Sequence, residues 1–379
     1  MEFLIFCIIA IIASEIYVWF AFIRHLKPAW RIIYWIPYVS MLAAMIWMSY
    51  SNISVWKIYT ITGLMIAFFA PFGAFAVSAF IGRFIGRFWL PARRAGFVAG
   101  IVLGIIVFIS GIYGLTAGWR KVVVKEIPLK FKELPESFEG YRIAHISDLH
   151  IGTYSYSPGT VEEIVEKVNA AGPDLVLFTG DIINIYPEEL EQFTGILSRM
   201  KARDGVFSIM GNHDYCGYAR YDSVEEEEDG VRRLQELEKK AGMEMLLNSH
   251  RIIRRGADSL ALIGVEYIGQ PQFPAYGDIV NASAGLPEGI FRILMSHDPT
   301  HWHNSVKDKG EISLTVSGHT HAMQFRIWKF SPSMFMFKEW GGLYQGNGNW
   351  LNVNTGTGGN IPFRLGAWPE IDVIELHRD

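Results

Sequence analysis

Four apolar stretches occupy the first 117 residues, and they limit the structures open to this chain more than any other feature of the sequence. They are Phe3–Ile23, Ile32–Tyr50, Ile58–Ile81 and Ala95–Leu115. Each is long enough to cross a bilayer, because about 20 helical residues span the roughly 30 Å hydrocarbon layer. The first stretch lacks the basic segment and cleavage site of a signal peptide, so we expect it to remain in the mature protein. The sequence therefore predicts a four-helix transmembrane region.

The distribution of charge divides the chain at the same place. Residues 1–117 contain eight Lys or Arg and two Asp or Glu, whereas residues 118–379 contain 26 basic and 36 acidic side chains. An acidic globular part is a poor match for nucleic acid, whose phosphates are bound by clustered Lys and Arg. We predict a membrane anchor over residues 1–117, a linker over 118–139 and a globular domain over 140–379, with no nucleic-acid partner.

The basic residues of the short loops predict the orientation in the cell membrane. Three basic residues lie between residues 24 and 31 and four lie between 83 and 94, and loops of this kind stay in the cytoplasm. Three basic residues between 120 and 125, together with Lys57, favour the opposite orientation, but they are fewer. We therefore expect the globular part to be extracytoplasmic.

Beyond the membrane anchor, short apolar runs alternate with amphipathic stretches. The runs predict five buried strands: Tyr141–Ile146, Leu175–Phe178, Val206–Met210, Phe291–Met295 and Ile312–Val316. Val161–Asn169 and Val231–Ala241 have the spacing of helices. This alternation of strands and helices predicts an α/β core.

Polar segments with metal-binding side chains follow all five predicted strands. They are S-D-L-H at 147–150, G-D at 180–181, G-N-H-D at 211–214, H-D at 297–298 and G-H-T-H at 318–321. Ligands of open α/β sheets gather at the carboxyl ends of the strands, so we expect these segments to meet in one crevice. In D-x-H and H-x-H, residues two apart on an extended segment point the same way, so both side chains can reach it.

The inventory of these segments fits two divalent cations. The assigned ligands are Asp148, His150 and His321 for one cation and Asn212, His297 and His319 for the other, with Asp181 bridging the pair. Nitrogen and oxygen ligands without a thiolate suit Mn, Fe or Zn. A single histidine is usually a core or surface residue, but this joint occurrence favours a metal centre.

Taken in order, the five segments resemble the motifs of the calcineurin-like metallophosphoesterase family. The similarity extends over about residues 140–379, and the segments at 356–364 and 369–376 are similar to its bacterial membrane-associated branch. The resemblance implies an α/β sandwich of two β-sheets flanked by helices that carries a dinuclear phosphoesterase centre. The chain departs from that branch at Ala322 and Met323, where two glycines commonly precede a glutamine.

The resemblance also implies roles for three residues around the metals. His213 is expected to stabilise the transition state or to protonate the leaving oxygen, and Asp214 to orient His213. Arg364 is a candidate for binding a substrate phosphate through paired donors, and the alternative for this residue is a structural or surface ion pair.

These features predict a membrane-anchored, metal-dependent phosphoric ester hydrolase that acts on a phosphoester, phosphodiesters included, or on a pyrophosphate of a lipid or cell-envelope component. Two alternatives stay open: a catalytically silent receptor or scaffold that binds a phosphorylated lipid, and a cytoplasm-facing nucleotide-lipid pyrophosphatase. Aromatic residues are dense between residues 325 and 350, and this segment either rests on membrane lipids or packs over the core as a lid.

Overall fold

The structure, a computed structural model, describes residues 12–49, 55–269 and 275–379 of the chain. It divides the chain into two compact units, Met1–Ala117 and Gly118–Asp379. The division falls where the charge distribution also divides the sequence. We describe each unit by itself.

The described residues of the N-terminal unit are helical apart from short connections at 24–27 and 86–90. Its helices are α1 (Ile12–Ile23), α2 (Pro28–Ser49), α3 (Val55–Leu64), α4 (Ala70–Ile85) and α5 (Pro91–Thr116), and a π-helical segment, Met65–Phe69, joins α3 to α4. Three helical stretches are long and apolar enough to cross a membrane: Pro28–Trp47, Lys57–Ile85 and Pro91–Arg120.

The predicted count of four spans is therefore wrong for the part of the chain that the structure describes. Of the first predicted span, the structure describes residues 12–23. They form the apolar helix α1, which over this range is shorter than a bilayer crossing. Residues 3–11 of that span lie outside the described residues.

Glu15 is the one acidic residue within the described helices of this unit. Its carboxylate accepts a hydrogen bond from the hydroxyl of Tyr34 at 2.8 Å and another from the hydroxyl of Tyr38, both on α2. A polar group in an apolar environment needs such partners, because burying it without hydrogen bonds is costly. Glu15 thus links α1 to α2.

The C-terminal unit contains two six-stranded sheets. Its strands are β1 (Val123–Phe131), β2 (Tyr141–Ile146), β3 (Leu175–Phe178), β4 (Val206–Ser208), β5 (Glu244–Met245), β6 (Ser249–Arg255), β7 (Asp258–Gly264), β8 (Phe291–Met295), β9 (Leu314–Ser317), β10 (Gly342–Gln345), β11 (Trp350–Val353) and β12 (Glu370–Arg378). The strand order is β1-β12-β2-β3-β4-β5 in the first sheet and β10-β11-β9-β8-β7-β6 in the second.

The helices of this unit are α6 (Pro158–Ala170), α7 (Thr194–Leu197), α8 (Val224–Lys240), α9 (Ile279–Ala282) and α10 (Pro299–His301). Strand residues alternate between two cores, as β3 shows: Leu175 and Leu177 face the second sheet, whereas Val176 and Phe178 pack with residues of α6 and α8. A third core covers the outer face of the second sheet and includes Ala282 of α9. The predicted sandwich of two sheets flanked by helices is confirmed.

Residues 118–139 are not a linker, contrary to the sequence-based expectation. Strand β1 pairs in parallel with β12 along its whole length, from Val123 opposite Glu370 to Phe131 opposite Arg378. Leu129 and Phe131 are buried in the core between the sheets. Residue exposure alternates along β1, which is the pattern of a half-buried edge strand.

The topology places the polar segments at two neighbouring sheet edges. Strands β2, β3 and β4 run parallel to one another in the first sheet, and β8 and β9 run parallel in the second. Parallel strands end on the same side of a sheet, so the segments that follow them start close together.

Candidate metal centre

The segments after these strands form two adjoining groups of histidine and aspartate side chains. The first group contains Asp148, His150, Asp181 and His321, and the second contains Asp181, His297 and His319. Within each group, one nitrogen or oxygen atom per residue lies within 4.8 Å of the corresponding atom of every other member. The structure thus brings together six of the seven side chains predicted as ligands, in the predicted division.

Asp181 belongs to both groups. Its Oδ2 atom lies 3.7 Å from Nε2 of His150 in the first group and 3.2 Å from Nε2 of His297 in the second. Its Oδ1 atom accepts a hydrogen bond from the backbone N–H of His213 at 2.8 Å, which fixes the carboxylate. This carboxylate is the bridge between the two groups.

Backbone carbonyls orient two of the imidazoles toward the shared carboxylate. Nδ1 of His150 donates to the carbonyl of Ile183 at 3.1 Å, and Nδ1 of His297 donates to the carbonyl of Thr179 at 2.7 Å. With the proton on Nδ1, the neutral ring presents its Nε2 lone pair to the group, which is the tautomer that binds a metal.

Asn212, the seventh predicted ligand, has a buried oxygen that lacks a partner. Its amide nitrogen donates to the hydroxyl of Tyr218 at 3.0 Å, but its Oδ1 atom has no hydrogen-bond partner, and neither does Nδ1 of buried His321. Buried polar atoms are seldom left unpaired, and an absent ion is one explanation when they are. These atoms and the crowded Asp and His donors fit a pair of divalent cations.

Five of the seven predicted ligands adopt a left-handed backbone conformation. Their φ angles are +50° at Asp148, +42° at His150, +57° at Asp181, +72° at His319 and +51° at His321. The expectation that D-x-H and H-x-H converge through extended backbone is therefore wrong. Left-handed conformations are costly outside glycine, and such strain concentrates at functional sites.

The buried environment keeps two imidazoles of the first group neutral. Burial lowers the pKa of His150 and of His321 well below the usual histidine value, and burial raises the pKa of Asp148 to about 7. At His297 burial also opposes the charge, but Asp181, with smaller contributions from Asp148 and the carbonyl of Thr179, raises the pKa of His297 to about 10. A neutral imidazole is the form that a cation requires, so the first group is ready to bind one.

Comparison with known proteins gives the same assignment as the motifs. The sequence profile of the calcineurin-like phosphoesterase family matches residues 141–323. The chain is 31% identical over 283 residues to a "Transmembrane protein with metallophosphoesterase domain" of Danio rerio, which covers 72% of this chain and 61% of that relative. Residues 141–323 of this chain thus form a calcineurin-like phosphoesterase domain.

Bacterial proteins named as metallophosphoesterases are also similar to the chain. The metallophosphoesterase YkuE of Bacillus subtilis is 26% identical over 298 residues, with 71% of this chain and 96% of the relative covered. A metallophosphoesterase of Helicobacter pylori is 28% identical over 294 residues, with 76% and 73% covered. Among solved structures, a phosphopantetheinyl hydrolase from Mycobacterium tuberculosis has a TM-score of 0.34 at 11% identity, covering 59% of this chain and 91% of that one.

The family resemblance expected from the motifs is therefore confirmed. The three long apolar helices and the relatives named as transmembrane proteins identify the chain as a membrane protein. Members of this phosphoesterase family bind a dinuclear metal centre, and the described His and Asp cluster supplies the side chains for one.

His213 lies beside the two groups of this calcineurin-like site without joining them. Its Nδ1 donates to the carbonyl of Asn184 at 2.7 Å, and its ring makes an edge contact with the ring of His150, with centroids 4.7 Å apart. The ring of Tyr218 stacks on His213 at 4.1 Å. No sequence motif pointed to Tyr218, which lies six residues beyond Asn212 in a loop without periodicity.

Asp214 does not orient His213, contrary to the sequence-based expectation. Its carboxylate is buried and accepts hydrogen bonds from the backbone N–H groups of Asp181 at 2.6 Å, Gly211 at 2.8 Å and Ile182 at 2.9 Å. Asp214 therefore ties the segment after β3 to the segment after β4. It positions the bridging carboxylate rather than the imidazole.

Arg364 does not face a substrate. It is 1% exposed, and its guanidinium donates to the carbonyls of Gly358 at 2.8 Å, Ala367 at 2.9 Å and Thr355 at 2.7 Å. The expectation that Arg364 binds a substrate phosphate is therefore wrong, because the guanidinium N–H groups that would bind the phosphate already donate to backbone carbonyls. The alternative expectation, an ion pair, is not observed either, since these partners of the guanidinium are backbone carbonyls.

Asp298 is a further residue of the site that the motif assignment left without a role. Its Oδ2 atom lies 3.5 Å from Nε2 of His319, and it also accepts a hydrogen bond from the hydroxyl of Tyr267 at 3.4 Å. Its position directly after His297 was the available signal. A carboxylate in this place orients an imidazole ligand.

Proposed function

We propose that this protein is a membrane-anchored hydrolase of a phosphoester or a pyrophosphate that works with two divalent cations. The observation that carries the proposal is the sharing of Asp181 between two buried groups of ligands. The donor set, imidazole and carboxylate with one amide oxygen, suits Mn, Fe or Zn.

The residues divide into holding and proton-transfer roles. Asp148, His150 and His321 would hold one cation, Asn212, His297 and His319 the other, and Asp181 both. When bound, such a pair orients a phosphate group and neutralises the charge that develops on its oxygens.

His213 is the proposed catalytic acid. Its Nδ1–H group donates a hydrogen bond to the carbonyl of Asn184, so Nε2 is the atom that would donate a proton to the leaving oxygen. The stacked Tyr218 ring limits rotation of the imidazole.

The substrate in this proposal belongs to a lipid or a cell-envelope component, and the globular unit faces the extracytoplasmic side. Support comes from the three apolar helices among the described residues and from the basic residues between 24 and 31 and between 83 and 94, in and beside the connections that precede α2 and α5. Because the chain spans only 61% of the Danio rerio relative, the substrate and partners of the whole protein belong to this proposal as well.

Metal content and hydrolysis of a soluble phosphodiester test the chemistry. The full chain in detergent, with Mn²⁺ added, should bind two cations and hydrolyse bis(p-nitrophenyl) phosphate, whereas Asp181→Asn should lose both activity and cations. Asp222→Asn, which changes an exposed carboxylate, should behave like the unchanged protein. A pure protein that takes up no cation and cleaves no phosphoester would refute the proposal.

Replacement of His213 separates the acid from the metal ligands. His213→Ala should retain two cations per chain and lower turnover by about 100-fold to 10,000-fold, the usual contribution of acid–base catalysis. Loss of both cations in this variant would contradict the assignment, because it would make His213 a ligand.

Thiol labelling tests the orientation. Val280 on α9 is 78% exposed, and Cys216 is buried. After Cys7→Ser, Val280→Cys should react with a membrane-impermeant maleimide in intact cells. Labelling only after lysis would place the globular unit in the cytoplasm.

A further inference from the structure

A loop beside the metal centre exposes six large apolar side chains. We call residues 327–337 the apolar loop; its exposed members are Ile327, Trp328, Phe330, Met334, Phe335 and Met336. Trp328 is 84% exposed and Phe335 is 69% exposed. Single exposed apolar residues are common on soluble surfaces, but a contiguous group marks an interaction site.

The tip of the apolar loop is held in a conformation that does not favour a large side chain. Ile327 and Phe330 exchange two backbone hydrogen bonds of 2.9 Å, so Trp328 and Lys329 form the two-residue turn between them. Trp328 has a φ angle of +55°, the left-handed region that glycine or asparagine usually occupies. The turn thus presents an indole to solvent where a small residue would fold more easily, and local stability does not explain this choice.

The apolar loop is fastened to the segment that carries His319 and His321. The hydroxyl of Ser331 donates to the carbonyl of Ala322 at 2.7 Å, and the hydroxyl of Thr320 donates to the carbonyl of Trp340 at 2.6 Å. Phe337, at the end of the loop, is buried, and its ring makes an edge contact with the ring of His319, with centroids 5.6 Å apart. The exposed side chains therefore keep a fixed place beside the second group of ligands.

The charged residues within and next to the apolar loop are basic, although the globular unit as a whole is acidic. Arg326, Lys329 and Lys338 lie within residues 325–338, which contain no acidic residue. The next acidic residue, Glu339, is buried and lies 2.9 Å from Nδ1 of His303. A basic, aromatic surface on a unit with ten more acidic than basic residues is complementary to an anionic surface.

We propose that the apolar loop inserts into the headgroup region of an anionic bilayer and that the metal centre beside it takes its phosphate from a lipid of that bilayer. Aromatic residues favour the interface, and Lys and Arg near them are attracted to anionic headgroups. A membrane is available to the loop because three described helices of the same chain are long and apolar enough to cross one. The second half of this inference rests on the proposed phosphoesterase function, whereas the insertion does not.

A fluorescent probe tests the insertion without any assay of activity. The full chain with Cys7→Ser and Phe335→Cys is labelled with NBD and placed in nanodiscs of phosphatidylglycerol or of phosphatidylcholine. In the anionic discs we expect a blue-shifted emission and at least twofold quenching by lipids with a nitroxide near the headgroup. The matched control is Val280→Cys on α9, a helix that contacts β6 at the opposite edge of the second sheet from β10.

Equal, weak quenching at positions 335 and 280 would overturn the insertion. Disulfide or bismaleimide coupling between two copies through Phe335→Cys, with no quenching, would instead assign the apolar loop to self-association and would also overturn it. Quenching at position 335 that is the same in neutral and anionic discs would overturn the role given to the basic residues.

Kinetics with two substrates test the link to a lipid phosphate. Trp328→Ser combined with Phe335→Ser should lower kcat/KM at least tenfold for a phosphodiester lipid in anionic discs, and should leave hydrolysis of soluble bis(p-nitrophenyl) phosphate within twofold. Val280→Ser should affect neither. Equal loss on both substrates would contradict the inference and indicate that the loop supports the centre. An inserted probe in a protein that cleaves neither substrate would refute the proposed function alone.

Discussion

The carboxylate of Asp214 accepts a hydrogen bond from the backbone N–H of Asp181 over 2.6 Å, and through this contact the segment after β4 fixes the bridge of the metal centre. The two residues are neighbours only because β3 and β4 pair in parallel. A buried carboxylate that serves three backbone donors is part of the framework, and its loss should affect both folding and metal binding.

Asp214→Ala should lower the free energy of unfolding by at least about 3 kcal/mol, since each of the three buried N–H groups left without a partner costs roughly 1–3 kcal/mol. It should also lower the cation content, because Asp181 would lose its support. Thermal unfolding of the full chain in detergent and elemental analysis measure the two effects. Asp278→Ala, which removes an exposed carboxylate that accepts from the N–H of Asn281 at 2.9 Å, should cost only about 1 kcal/mol. Equal behaviour of the two variants would refute the framework role.

Arg364→Lys should lower stability and leave substrate binding unchanged. A lysine cannot reproduce the planar set of donors that reaches the carbonyls of Gly358, Ala367 and Thr355, so we expect a loss of about 2–4 kcal/mol. KM for bis(p-nitrophenyl) phosphate should stay within twofold, as in the exposed control Arg232→Lys. A higher KM with an unchanged melting temperature would contradict this prediction and would indicate that Arg364 binds the substrate phosphate.

Glu238 of α8 should make the stability of the chain depend on pH. Burial, assisted by the charge of Asp214, raises the pKa of Glu238 from 4.5 to about 8, and the carboxyl Oε1 has no hydrogen-bond partner. Between these two values the folded chain holds a proton that the unfolded chain releases, so stability is greatest below pH 4.5 for this group and falls as the pH rises toward 8. The fall is up to about 1.4 kcal/mol per pH unit.

Glu238→Gln removes this titration and keeps an acceptor for the hydroxyl of Ser208, which donates to Glu238 at 2.6 Å. The difference in melting temperature between the variant and the unchanged chain should therefore grow in favour of the variant from pH 5.5 to pH 7.5. A difference that stays constant over this range would contradict the prediction. Comparison at each pH cancels the titration of the histidines of the metal centre.

Met323→Gly should stabilise the chain. Met323 has a φ angle of +47°, between Ala322 at +50° and Gln324 at +56°, so the loop takes the left-handed form although none of these three residues is a glycine. A left-handed conformation costs about 1–2 kcal/mol outside glycine, and the extra freedom of an unfolded glycine offsets about 0.5–1 kcal/mol of that gain. We expect a net gain of about 0.5 kcal/mol in unfolding experiments. Met336→Gly, at a φ angle of −110°, should destabilise the chain, and a gain there as well would refute the explanation.

Much of the fold was predictable because it depends on local patterns. Runs of buried residues predicted β2, β3 and β8 with their observed bounds, since a strand buried on both faces is apolar throughout. Strand β1 was missed, because alternating polar and apolar residues next to a membrane segment also fit an exposed linker. Its partner, β12, lies more than 200 residues away, and only chain packing reveals the pairing.

The sequence by itself determined the chemistry of the centre: which residue types follow the strands, in which order, and that they suit a pair of cations. Only the tertiary structure decided that Asp214 supports Asp181, that Arg364 is engaged with backbone, and that five ligands take left-handed conformations. The physical reason is range, because side-chain type is a property of one position, whereas a hydrogen-bond partner depends on segments that meet only when the two sheets pack together.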